Sequence, residues 1–416
     1  MEQVDFKNAN SVYVFKDNQL IGRLARTAHQ AEFIYDQDYL RKTENRNEKD
    51  RSLAFTIKAS QTNHLTRGYN LSPFFAGLLP EGLRMQALIR TTKTSPDDLF
   101  SLLIASGTNL IGDISVALNP DFQQEALPKT KKKLSETIFW ELFSNSINAT
   151  SYQQRKLDSS IPGIQPKISA NLVSFPVSVS SRKKEYILKL GSNDFPYILE
   201  NEHFFMQMAK ACGIKVANTK LVTDKEGNRG LLVERFDRIY RNDQKRIERI
   251  HQEDACQFLN LYPQDKYRVN FRDIATGLVE FSTAPILEIA KLLQIKAFSY
   301  LIANGDLHAK NISLQVGSSN SKVLLTPAYD LLSTLPYGDA QMALAFEGKT
   351  DNLKARYFIE FGEAFNVKQA AIVSMLSELV KQVRPWIDRI EEIGLPQKQT
   401  VHLKRLVEKR IKDITP

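Results

Sequence analysis

Cysteine is nearly absent from this chain of 416 residues, which carries only Cys212 and Cys256. Two isolated thiols make neither a disulfide framework nor a zinc site, and both lie among apolar neighbours in segments with a helical pattern. A reducing, cytoplasmic setting is expected. Long hydrophobic runs are missing as well. No stretch approaches the roughly 18 apolar residues of a membrane span. Residues 1–10 hold no apolar core of signal-peptide length, so no membrane association is expected. There is no internal repeat and no low-complexity tract. A Walker A motif, with its two glycines and Gly-Lys-Ser/Thr ending, is also lacking.

What is present is ordinary globular composition, 42% hydrophobic and 25% charged. At roughly 100–200 residues per domain the length allows two or three units. The net charge of +9 is mild. It permits an acidic partner such as nucleic acid, and is more simply a solvated surface with extra lysine.

Val12-Tyr13-Val14-Phe15 and Leu20-Ile21-Gly22-Arg23-Leu24 read as a β-hairpin, followed by a third strand at Phe33-Ile34-Tyr35. Residues 72–110 read as helical around a turn at Leu78-Leu79-Pro80-Glu81-Gly82. Ser95 is placed to cap a helix that has Pro96 at its first position. The polar segment 119–134 marks a first boundary. Residues 168–172 and 186–190 alternate like strands, and Phe205, Met208, Ala209 and Cys212 share one helical face. A hairpin is expected across 221–233, and the charged stretch 238–249 reads as a loop between lobes. From residue 251 the pattern is mainly helical. An apolar helix at 286–302 leads to Asn304, and a short hairpin occupies 312–315 and 322–325. Strands with one helix, then a helical half, make an α+β arrangement of two lobes whose cleft suits a ligand. The expected units are 1–125, 126–250 and 251–416.

Phosphoryl transfer needs metal-holding groups, a cation for the phosphates and a carboxylate to orient the attacking hydroxyl. In Asn304-Gly305-Asp306-Leu307-His308-Ala309-Lys310-Asn311, Asp306 and Asn311 stand five residues apart. That is the Asp-to-Asn spacing of the protein-kinase catalytic loop, whose Asp faces the nucleophile and whose Asn binds magnesium. Asp330 follows 19 residues later, beyond the short hairpin, where a second metal ligand is expected. Lys189 stands alone in the apolar strand Tyr186-Ile187-Leu188-Lys189-Leu190. A buried lysine needs a partner, and either phosphate oxygens or Glu202 on the next helix would supply one. An Asp and an Asn at this spacing recur by chance, so Asp306 alone reads as a loop or cap residue. The ordered set of Lys189, Asp306, Asn311 and Asp330 reads as a site for ATP and Mg2+. His308 reads equally as a nucleotide contact or as packing within the loop. Ser159-Ser160-Ile161-Pro162-Gly163-Ile164-Gln165-Pro166-Lys167 is the candidate phosphate loop, with backbone amides able to approach phosphate around Gly163 to Gln165.

Several stretches taken together carry a resemblance. They are Leu78-Leu79-Pro80-Glu81-Gly82, residues 160–167, Leu232-Val233-Glu234-Arg235-Phe236-Asp237-Arg238, His251-Gln252-Glu253-Asp254, residues 304–311 and residues 326–333. The chain resembles the HipA family of bacterial serine/threonine kinases, the toxin halves of toxin–antitoxin pairs. The resemblance implies a bilobal protein-kinase-like fold with an N-terminal α/β subdomain and a mainly helical C-lobe. It implies Asp306 as catalytic base, Asn311 and Asp330 as magnesium ligands, Lys189 as the ATP-binding lysine and His308 as a nucleotide contact. It also places Glu253 and Ala255 at the hinge that meets adenine, Ala255 through backbone alone.

Gly163, Ile164, Gln165 and Lys167 match the flexible phosphate loop. Ser160 matches the serine whose autophosphorylation ejects that loop and silences the kinase, since a dianionic phosphoserine competes with the ATP phosphates. Ser159 is the alternative acceptor. Pro162 and Pro166 depart from the family pattern by stiffening the loop, and Pro166 sits where an acidic residue can occur. The partners implied are a HipB-like helix-turn-helix antitoxin, operator DNA through that complex, and an aminoacyl-tRNA synthetase substrate of the glutamyl type, a choice the residues themselves do not make. Two rival readings stand beside it. An aminoglycoside-type small-molecule phosphotransferase shares the catalytic run but not the N-terminal segment or the Ser160 loop. A catalytically silent DNA-binding corepressor does not need the intact set of four.

Overall fold

The computed structural model describes residues 8–27, 29–68, 71–107, 109–122, 129–130, 133–150, 173–179, 184–317 and 322–416 of the chain. The first strands are β1 (Ser11–Lys16), β2 (Gln19–Arg26), β3 (Gln30–Tyr35), β4 (Asn63–Arg67) and β5 (Ile114–Ala117). They form an antiparallel sheet in the order β4-β3-β2-β1-β5. Alternation decides its inner face: Val12 and Val14 of β1 are buried with Phe33 and Tyr35 of β3. The buried Tyr35 hydroxyl donates to the Ile57 carbonyl and accepts from the Leu53 amide, both at 2.6 Å, so no polar group is stranded there. This sheet packs on the short helices Pro73–Gly77 and Leu99–Ala105 to make the first of three hydrophobic clusters.

The expected cap at Ser95 is corrected. The helix begins at Leu99, and Asp98 caps it by accepting from the Ser101 amide at 3.1 Å. The Ser95 hydroxyl accepts from the Asp97 amide, and its carbonyl from the Asp98 amide, in the preceding turn. Both residues are good cap formers locally, but Asp98 also meets Arg26 of β2 at 2.6 Å, a contact no local pattern contains.

The second sheet holds β6 (Lys129–Thr130), β7 (Val173–Val179), β8 (Lys184–Leu190), β9 (Thr219–Thr223) and β10 (Arg229–Glu234), in the order β6-β7-β8-β10-β9. Strand β8 is central, so both of its faces are covered. Leu188 and Leu190 pack with Phe139, Phe143 and Phe175 on one side. Lys189 points to the other, toward the helix Ile198–Ala211. That helix buries Phe205, Met208 and Ala209 as its spacing predicts. Their cluster is the third one, which runs on through the helical half and so ties the helix to the C-terminal core.

Residues 238–249 are not the loop expected. They form a hairpin of β11 (Arg238–Arg241) and β12 (Arg246–Arg249), with Arg238 directly opposite Arg249. Their charges do not face solvent: both arginines are buried against carbonyls of residues 110–114. A small sheet of β13 (Gln252–Asp254), β14 (Ser313–Val316) and β15 (Val323–Leu325) then joins the lobes. The helical half is built on the apolar helix Pro285–Leu301, opened by Pro285 at its first turn. No helix among the described residues is long and apolar enough to cross a membrane.

Candidate active site

The helix Pro285–Leu301 delivers the chain to the run expected to carry chemistry. Ala303 turns it with a positive φ of 57°, and Gly305 follows. A Cβ on Gly305 would lie 2.6 Å from the Gln341 carbonyl and 2.7 Å from the Asp339 carboxylate and Thr334 hydroxyl. Only glycine fits this close approach. The Gly305 amide donates to Thr334 Oγ1 at 2.8 Å, and that hydroxyl in turn donates to the Ala303 carbonyl at 3.0 Å. The segment after Asp330 therefore braces the catalytic loop. Gly305→Ala is expected to displace the loop and slow phosphate transfer by about 10²-fold, since a shift of about 1 Å in a reacting group costs that much. Comparing transfer rates of the folded variant and the parent protein checks it.

Three groups of the predicted set meet directly. Lys189 Nζ donates to both Glu202 oxygens, at 2.8 and 2.9 Å, and to Asp330 Oδ1. Asn311 Nδ2 donates to Asp330 Oδ2 at 3.1 Å. Burial works against the charge on Lys189, but Asp330 and Glu202 outweigh it and hold the ammonium above the usual lysine range. Asp330 takes a left-handed backbone, φ 57°, which aspartate tolerates better than most residues.

Asp306 lies in the same cleft, which encloses 1740 Å³ of empty space including open solvent. Burial pushes its carboxyl up to about 6, against the hydroxyl of Tyr267, which donates to Asp306 Oδ1 at 2.6 Å, and against Lys266. A carboxylate titrating there is suited to act as a base near neutral pH. His308 is only 4% exposed, and burial pushes it down to about 3, so the ring is neutral. Its Nδ1 is buried with no hydrogen-bond partner among the described residues. Such an orphan in a cleft wall fits a site that a ligand completes.

The upper end of the cleft is apolar, with Pro176, Ile187, Val233 and Phe236 around it. Glu253 lies in β13, and its side chain turns away from the cleft. It is fully buried and accepts from the Phe55 amide at 2.7 Å and from His251 at 2.9 Å. Strand alternation sends its neighbours Gln252 and Asp254 into the cleft instead. Ala255 is buried, with its amide bonded to the Ile312 carbonyl at 2.9 Å. Neither side chain lines the cleft. Ser159, Ser160, Gly163, Ile164, Gln165 and Lys167 lie outside the described residues.

Sequence reasoning missed a second charged chain. Lys310 Nζ meets Glu81 at 2.9 Å, Asp254 at 3.3 Å and the Gly77 carbonyl at 3.2 Å, while Lys266 meets the other Glu81 oxygen at 2.7 Å. Burial disfavours an ionised Glu81, yet the two lysines hold it below the carboxylate range. The only signal was the glutamate in the Leu78–Gly82 stretch, and nothing near it in sequence names its partners.

The donor set suits a hard cation. Asn311 and Asp330 offer oxygens, and Asp330 keeps 37% of its side chain exposed. Among the described residues no cluster of three or more His, Cys, Asp or Glu could hold a metal unaided. Magnesium commonly takes one or two protein oxygens and completes its shell with phosphates and water.

Comparison with known proteins gives the same frame. A profile of the HipA-like C-terminal domain matches residues 159–387, and one of the HipA N-terminal domain matches residues 12–117. Y4mE of Sinorhizobium fredii, named as a candidate kinase, is 31% identical over 345 residues, 80% of this chain and 79% of that protein. The serine/threonine-protein kinase toxin HipA of Shewanella oneidensis is 27% identical over 339 residues, 75% of each. A solved structure of Shewanella oneidensis HipA with HipB and operator DNA aligns at a TM-score of 0.69 over 97% of both chains, with 23% identity, a likeness of fold. With both halves matched in order and a bilobal α+β fold closing on this cleft, the chain belongs to the HipA family.

Proposed function

We propose that this chain is an ATP- and magnesium-dependent serine/threonine protein kinase and the toxin of a type II toxin–antitoxin pair. The observation that carries the reading is the contact set Lys189–Asp330–Asn311 in one cleft with Asp306. In this reading Lys189 would receive phosphate oxygens and Asp306 would take the proton of an acceptor hydroxyl. Asn311 and Asp330 would hold magnesium, which when bound neutralises phosphate charge. His308, neutral and with an unpaired ring nitrogen, would face the nucleotide. The named kinase toxin among its relatives supports the toxin role. The resemblance read from the sequence motifs supports, as the acceptor we propose, an aminoacyl-tRNA synthetase of the glutamyl type, with Ser160 as the self-acceptor that switches the enzyme off. A HipB-like antitoxin would be the partner through which operator DNA is bound, as in the Shewanella complex.

The test is transfer from γ-labelled ATP in a host lysate, followed by identification of the labelled proteins. Wild type should label a synthetase and its own Ser160, the latter seen as one added phosphate by intact mass. Lys189→Met should lower both by about 10²-fold or more, the loss typical of removing a charge-stabilising group. Equal labelling by the variant, or label passing to small sugars or antibiotics, would sink the reading.

A further inference from the structure

We propose that Tyr267 is a positioning residue for the base: its hydroxyl holds one oxygen of Asp306 and leaves the other to receive the acceptor proton. The inference rests on the reading of Asp306 as that base. Tyr267 donates to Asp306 Oδ1 at 2.6 Å, and Oδ2 accepts no hydrogen bond among the described residues. The phenol ring is itself held. It stands edge-on to the His308 ring at 5.0 Å and 83°, and the Lys266 ammonium lies 5.4 Å from its centroid. The backbone beside it is tied to the catalytic loop, since the Ala309 amide donates to the Lys266 carbonyl at 3.1 Å. Lys266 is anchored in turn by Glu81. Tyr267 thus connects the base to an element far from it in sequence, and no part of the catalytic-loop spacing encodes the contact.

The chemical consequence is specific. In transfer, the acceptor oxygen forms its bond to the γ-phosphorus as the bond from that phosphorus to the β,γ-bridging oxygen breaks. ADP leaves with the electron pair, and the acceptor proton passes to Asp306 Oδ2. A carboxylate free to rotate would offer this oxygen only part of the time. A phenol that donates to Oδ1 fixes the rotamer and also favours the ionised form. The other groups facing Asp306 are Lys266 from the same segment, Glu81 from the turn before the helix Gly82–Thr92, Asp330 from the segment after β15, and His308 of its own loop. Tyr267 supplies the side-chain hydrogen bond to the carboxylate.

The experiment compares the full chain with Tyr267→Phe, which keeps the ring packing and removes the donor. Phosphate transfer is followed from pH 5.5 to 8.5, and the Asp306 carboxyl is titrated by NMR on protein labelled with carboxyl-13C aspartate, the signal being assigned with Asp306→Asn. Loss of the donor should move both midpoints up by about one pH unit. The rate should then fall about fivefold at pH 6 and recover to within about twofold at pH 8.5, with the KM for ATP unchanged. A merely structural tyrosine would lower the rate equally at all pH values. Midpoints that coincide with wild type overturn the role given to Tyr267. Transfer that survives in Asp306→Asn overturns instead the reading of Asp306 as the base, whatever the carboxyl titration shows.

Discussion

Asp306→Asn is expected to cut phosphate transfer by about 10²–10⁴-fold, the range for loss of a general base, while making the fold more stable above pH 6. The two effects have one cause. Burial pushes the Asp306 carboxyl up to about 6, so the ionised form that catalysis needs is the form the folded chain disfavours. A group whose folded pKa is raised contributes its stability below the unfolded value, near pH 4, and loses it as pH rises through about 6. At pH 8 the charge therefore costs roughly 2–3 kcal/mol. Asparagine carries no charge and can still accept from Tyr267. Melting curves of wild type and variant should lie close together at the acid end and separate in the variant's favour at pH 8. A variant that is inactive but less stable at pH 8 would contradict this account of the site.

Asp237→Ala is expected to cost about 3–5 kcal/mol of stability, the scale for leaving buried charges without their partner. Asp237 is 5% exposed and sits among three arginines. It accepts from Arg235 at 2.6 and 2.9 Å, from Arg238 at 2.9 Å and from the Gly112 amide at 2.9 Å. Burial alone would raise its pKa, but Arg235 and Arg238 hold it below the carboxylate range. The arginines reach on to the first subdomain, Arg235 to Asn109 and Leu110, Arg238 to Leu110 and Gly112, and Arg249 to Ile114. Burial has already pushed Arg238 down to about 10 and Arg249 to about 9. Removing the carboxylate leaves three cations together in a low-dielectric seam between subdomains, with Glu185, 3.3 Å from Arg238 and 3.9 Å from Arg235, as the ion-pair partner that remains to those two. The midpoint of urea unfolding should fall, and proteolysis should cut first around residues 107–118. An unchanged midpoint would mean that the seam is solvated. The stretch from Leu232 to Arg238, one of those carrying the family resemblance, is therefore a clamp between subdomains as well as a wall of the cleft.

Local periodicity was enough for most elements. The hairpin of β1 and β2, the buried face of the helix Ile198–Ala211 and the apolar helix before Asn304 each follow from residues within one or two turns of each other. Where a local rule had two answers, as with Ser95 and Asp98, the distant Arg26 decided. Where a charged stretch was read as a loop, as at 238–249, the arginines had found carbonyls some 125 residues away in sequence.

By itself the sequence determined which chemistry is available. The spacing of Asp306 and Asn311, the lone Lys189 in an apolar strand and the acidic Asp330 beyond a hairpin are local facts that read as a site for ATP and Mg2+, and the family resemblance took further stretches spread along the chain. Only the tertiary structure decided how those groups are tuned. Proton affinity depends on burial and on charges within a few ångströms, and the neighbours that set it for Asp306 (Tyr267 with Lys266, Asp330 and Glu81) come from three separate segments. The same is true of the lysine, whose two carboxylate partners lie 13 and 141 residues away. Spacing along a chain carries the identity of a catalytic group, whereas its working pKa and orientation are properties of the space the fold closes around it.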